Sequence, residues 1–482
     1  ADIQAIISLY GHRKADMALM DFDDLLLHLK RLLVEHPDVR ARWADTFEHV
    51  LVDEYQDTNH LQGQLVDLLA AGHGNVMVVG DDCQSIYAFR GADYHNILEF
   101  PERYPGCQRF RLEINYRSTP QILELANQSI ARNTKQFEKT LRAERPKGPQ
   151  PALVEVRDVF QQAEFVCQRI LELVDEGISM REIAVLYRAH HHSMELQVEM
   201  TKRNIPFTVR SGMRFFEQAH IKDVLSYLRL MYNPRDELAF MRLAHHWRGI
   251  GARRAQDIWT YVHAQTDPLT ALCDDALARA LPGRAKSSWQ DAATVFATLR
   301  AQRLTASPAD MIDTVMHGGY IEVAQRTFDN ADHRLGDLEQ LTNYAAQYDE
   351  LDRFLGEISL LSGLSSRDIA VGEGAPDELV TLTSIHQAKG LEWSACFVLW
   401  LSDGHFPSER ATREVDGLEE ERRLFYVAST RAKDDLYLCH PYTQYVRGQG
   451  TAILRPSPFI LELEDHDDAG HEPWERWTID AS

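Results

Sequence analysis

Two short apolar runs, His49 to Val52 and Val76 to Val79, each break off into acidic residues, Asp53-Glu54 after the first and Asp81-Asp82 after the second. Apolar runs this short read as strands, and strands of this kind belong to parallel α/β structure. Open α/β sheets place their ligands beyond the carboxyl ends of such strands, so both acidic junctions become candidate site positions. Helical periodicity at Phe22, Leu25, Leu26, Leu29, Leu32 and Leu33 precedes the first strand. The stretch Glu144 to Pro151 then breaks periodicity and reads as a surface connection. A second α/β region follows, with strands expected at Leu153 to Val156 and Ile183 to Tyr187. From about Phe215 to Leu364 the pattern is almost purely helical, including Ile221 to Tyr232 and His333 to Leu360. Strand signals return at Leu379 to Thr383, Cys396 to Trp400 and Asp435 to Cys439, so the second α/β region is interrupted by a helical insertion and then completed. A chain of 482 residues has room for about three domains of ordinary size.

Several classes drop out early. No apolar run reaches the roughly 20 residues that span a bilayer, and Ala1 to Tyr10 lacks the features of a signal peptide, so a cytoplasmic protein without membrane contact is expected. The six cysteines are scattered without a CxxC pair or a zinc-like Cys/His spacing, which points to reduced thiols. A net charge of -22 argues at first against a nucleic-acid partner, since phosphate binding draws on Lys and Arg. Distribution matters more: Pro101 to Gln150 carries ten Lys/Arg against five Asp/Glu, and Thr201 to Thr260 eleven against five. These windows allow two basic patches, although a plain solvated face has the same composition.

The chemistry gathers at the strand ends. Asp53, directly after the first strand, can hold Mg²⁺, and Glu54 beside it can orient and deprotonate a water; a turn or cap uses the same pair. The second strand runs into Gly80-Asp81-Asp82-Cys83-Gln84-Ser85-Ile86-Tyr87-Ala88-Phe89-Arg90-Gly91-Ala92. Downstream lie Leu112-Glu113-Ile114-Asn115-Tyr116-Arg117-Ser118-Thr119, then Thr383-Ser384-Ile385-His386-Gln387-Ala388-Lys389-Gly390-Leu391-Glu392-Trp393, then Glu419-Glu420-Glu421-Arg422-Arg423-Leu424-Phe425-Tyr426-Val427-Ala428-Ser429-Thr430-Arg431-Ala432.

In order and separation these segments resemble motifs II to VI of the UvrD/Rep/PcrA-type superfamily 1 DNA helicases, and the resemblance runs from Met20-Asp21-Phe22-Asp23-Asp24-Leu25 to about Leu463. It implies an α/β fold of two RecA-like motor domains, the first incomplete, with a helical 2B insertion in the second. Residues 1–112 would hold the end of domain 1B and the later half of 1A, 113–213 the first part of 2A, 214–376 domain 2B, 377–463 the rest of 2A, and 464–482 an acidic tail.

By the same resemblance, Asp53 would ligate Mg²⁺, Glu54 would be the base for ATP hydrolysis, and Gln84 would sense the γ-phosphate. Arg117 and Arg431 would be arginine fingers, whose fork-shaped cations suit a transferring phosphoryl group. Tyr116 would stack on adenine, Glu392 would reach the ribose, and Gly390 would line the nucleotide. Tyr87 and Phe89 stand where the family presents Tyr and Trp to stack on single-stranded DNA; the alternative is that both are core beside apolar Ile86 and Ala88. His386 would contact DNA from motif V, unless it is structural. Arg248-Gly249-Ile250-Gly251-Ala252-Arg253-Arg254 resembles the family's GIG turn, where Arg248, Gly249, Gly251 and Arg253 would approach DNA; a helix-ending turn has the same glycines.

The activity implied is ATP-dependent, 3′ to 5′ movement on single-stranded DNA with unwinding at a duplex junction, in repair or replication and alongside proteins of those processes. A DNA-binding or regulatory remnant without turnover is the other reading. It gains weight from one absence: no GxxxxGK[ST] occurs in the 482 residues, and Lys389-Gly390 reverses the order. The expectation is a fragment lacking the first strands and phosphate loop of 1A, with negligible ATPase and an open apolar face near His49 to Val52 and Val76 to Val79.

Overall fold

The computed structural model describes residues 2–210, 215–363, 378–446, 450–464 and 472–479. Three helices open the chain, Asp2–Asp16, Phe22–Glu35 and Pro37–Thr46. The second starts from a capping box in which Asp21 accepts from the Asp24 amide and Asp24 from the Asp21 amide, each at 2.9 Å. β1 (Val50–Val52) and β2 (Val76–Val78) then pair in parallel around the helix His60–Ala70, with Val50 opposite Val76 and Val52 opposite Val78. Side chains alternate across a strand. Val52, Val76 and Val78 therefore pack on a small core of Tyr55, Ile97 and Phe100, while Leu51 and Met77, register partners on the other face, remain 70% and 56% exposed.

A second short parallel pair, β3 (Ile114–Asn115) and β4 (Arg142–Ala143), leads into the main sheet. Its strands are β5 (Ala152–Asp158), β6 (Ile183–Tyr187), β7 (Phe207–Val209), β8 (Val380–Ser384), β9 (Trp393–Val398), β10 (Ala432–Val446), β11 (Gly450–Ile453) and β12 (Glu475–Thr478). They lie in the order β12-β5-β10-β9-β6-β8-β7, all parallel, with β11 antiparallel on β10. Alternation again divides the residues. Leu153, Ala184, Leu186, Cys396, Val398 and Leu438 face a core shared with the helices Pro120–Ile130, Gly417–Ser429 and Pro458–Glu464. Val154, Val185, Tyr187, Phe397 and Cys439 face the helices Val159–Asp175 and Met194–Lys202. A sheet covered on both sides has no place for polar alternation, which is why these strands read as unbroken apolar runs.

Between β7 and β8 the chain leaves the sheet for a helical body running from Ala219–Tyr232 to Leu351–Gly363, with Trp247, Trp259, Trp289, Phe240 and Phe296 in its core. The single helix expected over His333 to Leu360 is two, Ala331–Ala345 and Leu351–Gly363. The break carries Tyr348, whose hydroxyl donates to Glu357 at 2.5 Å and so ties the turn to the following helix. Two other boundaries differ. β9 begins at Trp393 rather than Cys396, and β10 extends from Ala432 to Val446 because its far end pairs with β11. The acidic tail also contributes structure: Trp474 is buried, Trp477 packs against Phe165 and Tyr437, and β12 forms the sheet edge beside β5. Burying an aromatic side chain is worth about 1.5–3 kcal/mol, enough to outweigh the repulsion of a few exposed acids. Asp465, Asp467, Asp468 and Asp480 lie outside the described residues. Among those described, no helix is long and apolar enough to cross a membrane.

Candidate functional site

Asp53 and Glu54 stand at the carboxyl end of β1, as expected. The chain turns sharply there. Glu54 takes a left-handed backbone, φ 50° and ψ 41°, and the 3-10 turn Tyr55–Asp57 begins immediately after it. Asp53 Oδ1 accepts the Glu54 amide at 2.9 Å. Gln56, fully buried, donates from Nε2 to Glu54 Oε2 at 2.6 Å and accepts the Asp81 amide on Oε1 at 3.0 Å. That last contact explains Gly80: a Cβ at this position would lie 2.4 Å from Gln56 Oε1 and 2.7 Å from Ile97 Cδ1. The end of β2 is thus locked to the end of β1, bringing Gln84 onto the same side. Gln84 Nε2 donates to Asp81 Oδ2 at 2.8 Å, and Asp81 is also paired with Lys139.

Beyond Gln84 the aromatic residues form a shelf. Phe89 is 66% exposed, so a core role is ruled out for it, while Tyr87 is half-buried against the sheet domain's apolar core. The Tyr87 hydroxyl donates to the His386 carbonyl at 2.9 Å, and the His386 ring meets Phe89 edge-on at 5.3 Å. Burial and the nearby Arg188 and Arg90 push the His386 imidazole down to about 3, so it is neutral at physiological pH. It presents an uncharged ring. Arg90 lies over both Tyr87 and Phe89, at 5.5 and 5.4 Å from their centroids.

On the other side of this cluster, Arg117 follows β3 and donates from Nε to Glu392 Oε2 at 2.5 Å, with Lys433 3.3 Å from the other Glu392 oxygen. Although burial opposes it, the two cations hold the Glu392 carboxyl below its usual range. Tyr116 is exposed, and Gly390, φ 82°, forms the turn before Glu392. Arg431 is buried just before β10, and among the described residues its donors meet neutral acceptors: the Val427 carbonyl at 3.0 Å, the Leu391 carbonyl at 3.1 Å and Thr430 Oγ1 at 3.1 Å. Burial and the neighbouring Arg117 push its guanidinium down to about 10.

The turn around Gly249 is elsewhere, in the helical body. Gly249 has φ 81°, a Cβ there would lie 3.0 Å from the Ala285 amide nitrogen, and Arg254 donates to its carbonyl at 2.6 Å. Gly251 precedes the helix Ala252–His263. Arg248, Gly251 and Arg253 are exposed. The structure therefore brings the strand-end acids, Gln84 and the aromatic shelf together, sets Arg117, Glu392 and Arg431 as a second cluster, and leaves the glycine turn apart.

The basic windows shrink on inspection. Arg103, Arg117, Lys135, Lys139 and Arg145 are all held in internal ion pairs. Among the described residues, Arg109, Arg111, Arg142 and Lys147 of the first window and Arg248, Arg253 and Arg254 of the second are exposed without an acidic partner. Sequence reasoning missed Lys389 altogether. Read only as the wrong order for a phosphate loop, it donates to Asp57 Oδ2 at 2.5 Å and to the Gln84 carbonyl at 2.8 Å, and its Nζ lies 3.5 Å from Glu54 Oε2. No local sequence signal marks it, because its partners lie more than 300 residues earlier in the chain.

Comparison with known proteins identifies the family. Residues 1–105 match the UvrD/REP helicase N-terminal domain, and residues 110–275 and 291–442 the UvrD-like helicase C-terminal domain. The chain is 36% identical to DNA helicase II of Salmonella typhimurium (strain LT2) over 470 residues, covering 96% of this chain and 65% of that protein. It is 36% identical to DNA helicase II of Escherichia coli (strain K12) over 472 residues, with the same coverage, and 35% identical to ATP-dependent DNA helicase PcrA of Leuconostoc citreum over 463 residues, 92% of this chain and 61% of that one. It spans less than two thirds of the length of each of these relatives.

Proposed function

The chain belongs to the UvrD-like helicase family, and from that premise we propose that it is the DNA-gripping and force-transmitting part of an ATP-dependent helicase. The protein as a whole would move 3′ to 5′ along single-stranded DNA and open duplex at a junction, in cytoplasmic DNA repair or replication. One observation carries the reading: an exposed aromatic shelf, Tyr87 and Phe89, is joined through the short turn from His386 to Lys389 to Gln84, Asp57 and the strand-end acid Glu54.

The donor set at β1 suits Mg²⁺, which takes carboxylate oxygens and water. Asp53 would hold the ion, which would neutralise phosphate charge on bound ATP. The remaining chemistry belongs to residues of this chain. Glu54 orients the attacking water and accepts its proton, and Gln84 offers an amide that both donates and accepts. Arg117 and Arg431 supply cationic donors. Arg431 would exchange its carbonyl contacts for phosphate oxygens, a stronger class of hydrogen bond. Tyr116, Gly390 and Glu392 would border the nucleoside. Exposed Arg248 and Arg253 beside Gly249 and Gly251 suit backbone phosphates of the duplex arm, within what would be domain 2B. Residues 1–482 contain no GxxxxGK[ST]. By themselves they would bind DNA with negligible ATP hydrolysis.

Fluorescence anisotropy with labelled oligothymidylate tests the shelf. Wild type should bind, and Phe89→Ala should weaken binding by about 1–3 kcal/mol per stacked base while the melting temperature stays put. Equal binding by both proteins would remove Phe89 from the DNA track.

A further inference from the structure

Lys389 has no place in the proposed chemistry, yet its side chain is only 7% exposed and every contact it makes crosses from one motif to another. An ammonium is a compact charge with three donors. Here one meets Asp57 Oδ2 at 2.5 Å and another the Gln84 carbonyl at 2.8 Å, while Glu54 Oε2 lies 3.5 Å away and the Tyr87 ring centroid 5.3 Å away. Lys389 closes the turn Ile385–Ala388, whose His386 carbonyl accepts from Tyr87 and whose His386 ring abuts Phe89. One turn of five residues is therefore gripped by the aromatic shelf at one end and by the acidic segment at the other. Glu54 Oε2 is shared between Gln56 and Lys389, so any shift of that turn changes what surrounds the oxygen. Burial lifts the Asp57 carboxyl above its usual range against the pull of Lys389, and Asp57 Oδ1 is buried with no hydrogen-bond partner among the described residues. This corner of the acidic segment depends on the lysine.

We propose that Lys389 is a positioning residue that relays the occupancy of the Tyr87–Phe89–His386 shelf to the Glu54–Asp57 segment. The inference rests on the reading of that shelf as a single-strand track. A base stacked on Phe89 must press on or displace the His386 ring that meets it edge-on, and the displacement passes along the turn to the ammonium. Lys389 then draws on Asp57 and leaves Glu54 Oε2 to Gln56. An ion pair serving stability alone would hold the segment in place without transmitting anything.

Hydrogen exchange of residues 1–482, read by mass spectrometry with and without oligothymidylate, separates the two. In wild type the oligonucleotide should slow exchange at 86–92 and 385–391 and also change it at 54–58. Lys389→Met should keep the first two responses and lose the third, and Lys389→Arg should retain all three because a cation stays within reach of Asp57. If Lys389→Met does not fold, Asp57→Asn cuts the same link from the acidic side and should lose the 54–58 response. A response at 54–58 that survives in the variant tested, or is absent in wild type that binds DNA, overturns the role of Lys389 and leaves the shelf intact. Failure of wild type to bind oligothymidylate overturns both.

Discussion

Glu54 holds a backbone conformation that costs a residue with a Cβ about 1–2 kcal/mol. The strain is fixed by neighbours, because the Tyr55 amide donates to the Val79 carbonyl at 3.0 Å and Gln56 ties the Glu54 carboxylate from below. Strain held in this way at a strand end suits the role of base proposed for Glu54. In a version of the protein carrying a phosphate-binding loop, Glu54→Gln should retain ATP and DNA binding but lower kcat by about 10²-fold or more, a general-base contribution. Steady-state turnover beside filter binding measures both, and unchanged turnover would take Glu54 out of that role. The positions of the acids and Gln84 were legible in the sequence because they follow the ends of apolar strands, while the roles expected of them and of the two aromatics came from the family resemblance. Lys389 was not, because nothing local marks a lysine whose partners lie more than 300 residues earlier. Nor was the state of Arg431, whose burial depends on the helix Gly417–Ser429 packing over the sheet.

Between elements, the main polar seam lies where the helix Met194–Lys202 of the sheet domain meets the helices Ala331–Ala345 and Leu351–Gly363 of the helical body. Asp337 faces His191 and His220 at 3.5 and 3.1 Å, Gln340 donates to Glu195 Oε1 at 2.6 Å, and Lys202 meets Glu357 at 2.8 Å. Glu195 is buried, its other oxygen has no hydrogen-bond partner among the described residues, and burial pushes its carboxyl up to about 7 against Gln340 and His191. A carboxyl raised from 4.5 to about 7 binds its proton more tightly folded than unfolded. Its contribution is therefore complete below pH 4.5 and lost as pH climbs through 7, by as much as about 3 kcal/mol. Chemical denaturation across that range should show wild type losing stability relative to Glu195→Gln as pH rises; parallel curves would mean that Glu195 ionises freely. Such seams escape sequence reading. The strands of the main sheet could be placed from apolar runs within a few residues, but Glu195 and Gln340 look like ordinary helix-surface residues until two separate helices meet. The break at Tyr348 and the edge strand at Glu475–Thr478 failed for a related reason: in each, tertiary contacts of aromatic side chains overrode a local pattern of helix or of acidic tail.

At the scale of the molecule, a net charge of -22 would keep copies apart, yet the two-stranded β1–β2 sheet leaves an apolar face open. Leu51 and Met77 are register partners on it and Val79 extends it, while Phe110, Leu112 and Ile114 are exposed along the chain that enters β3. Exposed strand faces of this kind invite association, whereas like charges are screened beyond about 8 Å at physiological ionic strength. Salt should therefore tip the balance. Sedimentation velocity of residues 1–482 should show self-association that grows between low and physiological salt, the reverse of an electrostatic complex, and Leu51→Lys combined with Met77→Lys should suppress it. The same preparation should hydrolyse ATP negligibly with or without oligothymidylate, because the roles proposed for Asp53, Glu54, Arg117 and Arg431 include no backbone cradle for the phosphates and residues 1–482 contain no GxxxxGK[ST]. The two results are linked: if the open face is where a phosphate-binding segment belongs, blocking it with the lysines should change association and leave oligothymidylate binding at the shelf unaltered. Vigorous DNA-stimulated hydrolysis by residues 1–482 would require a cradle among residues that have none of its pattern, and would overturn this division of labour between grip and hydrolysis.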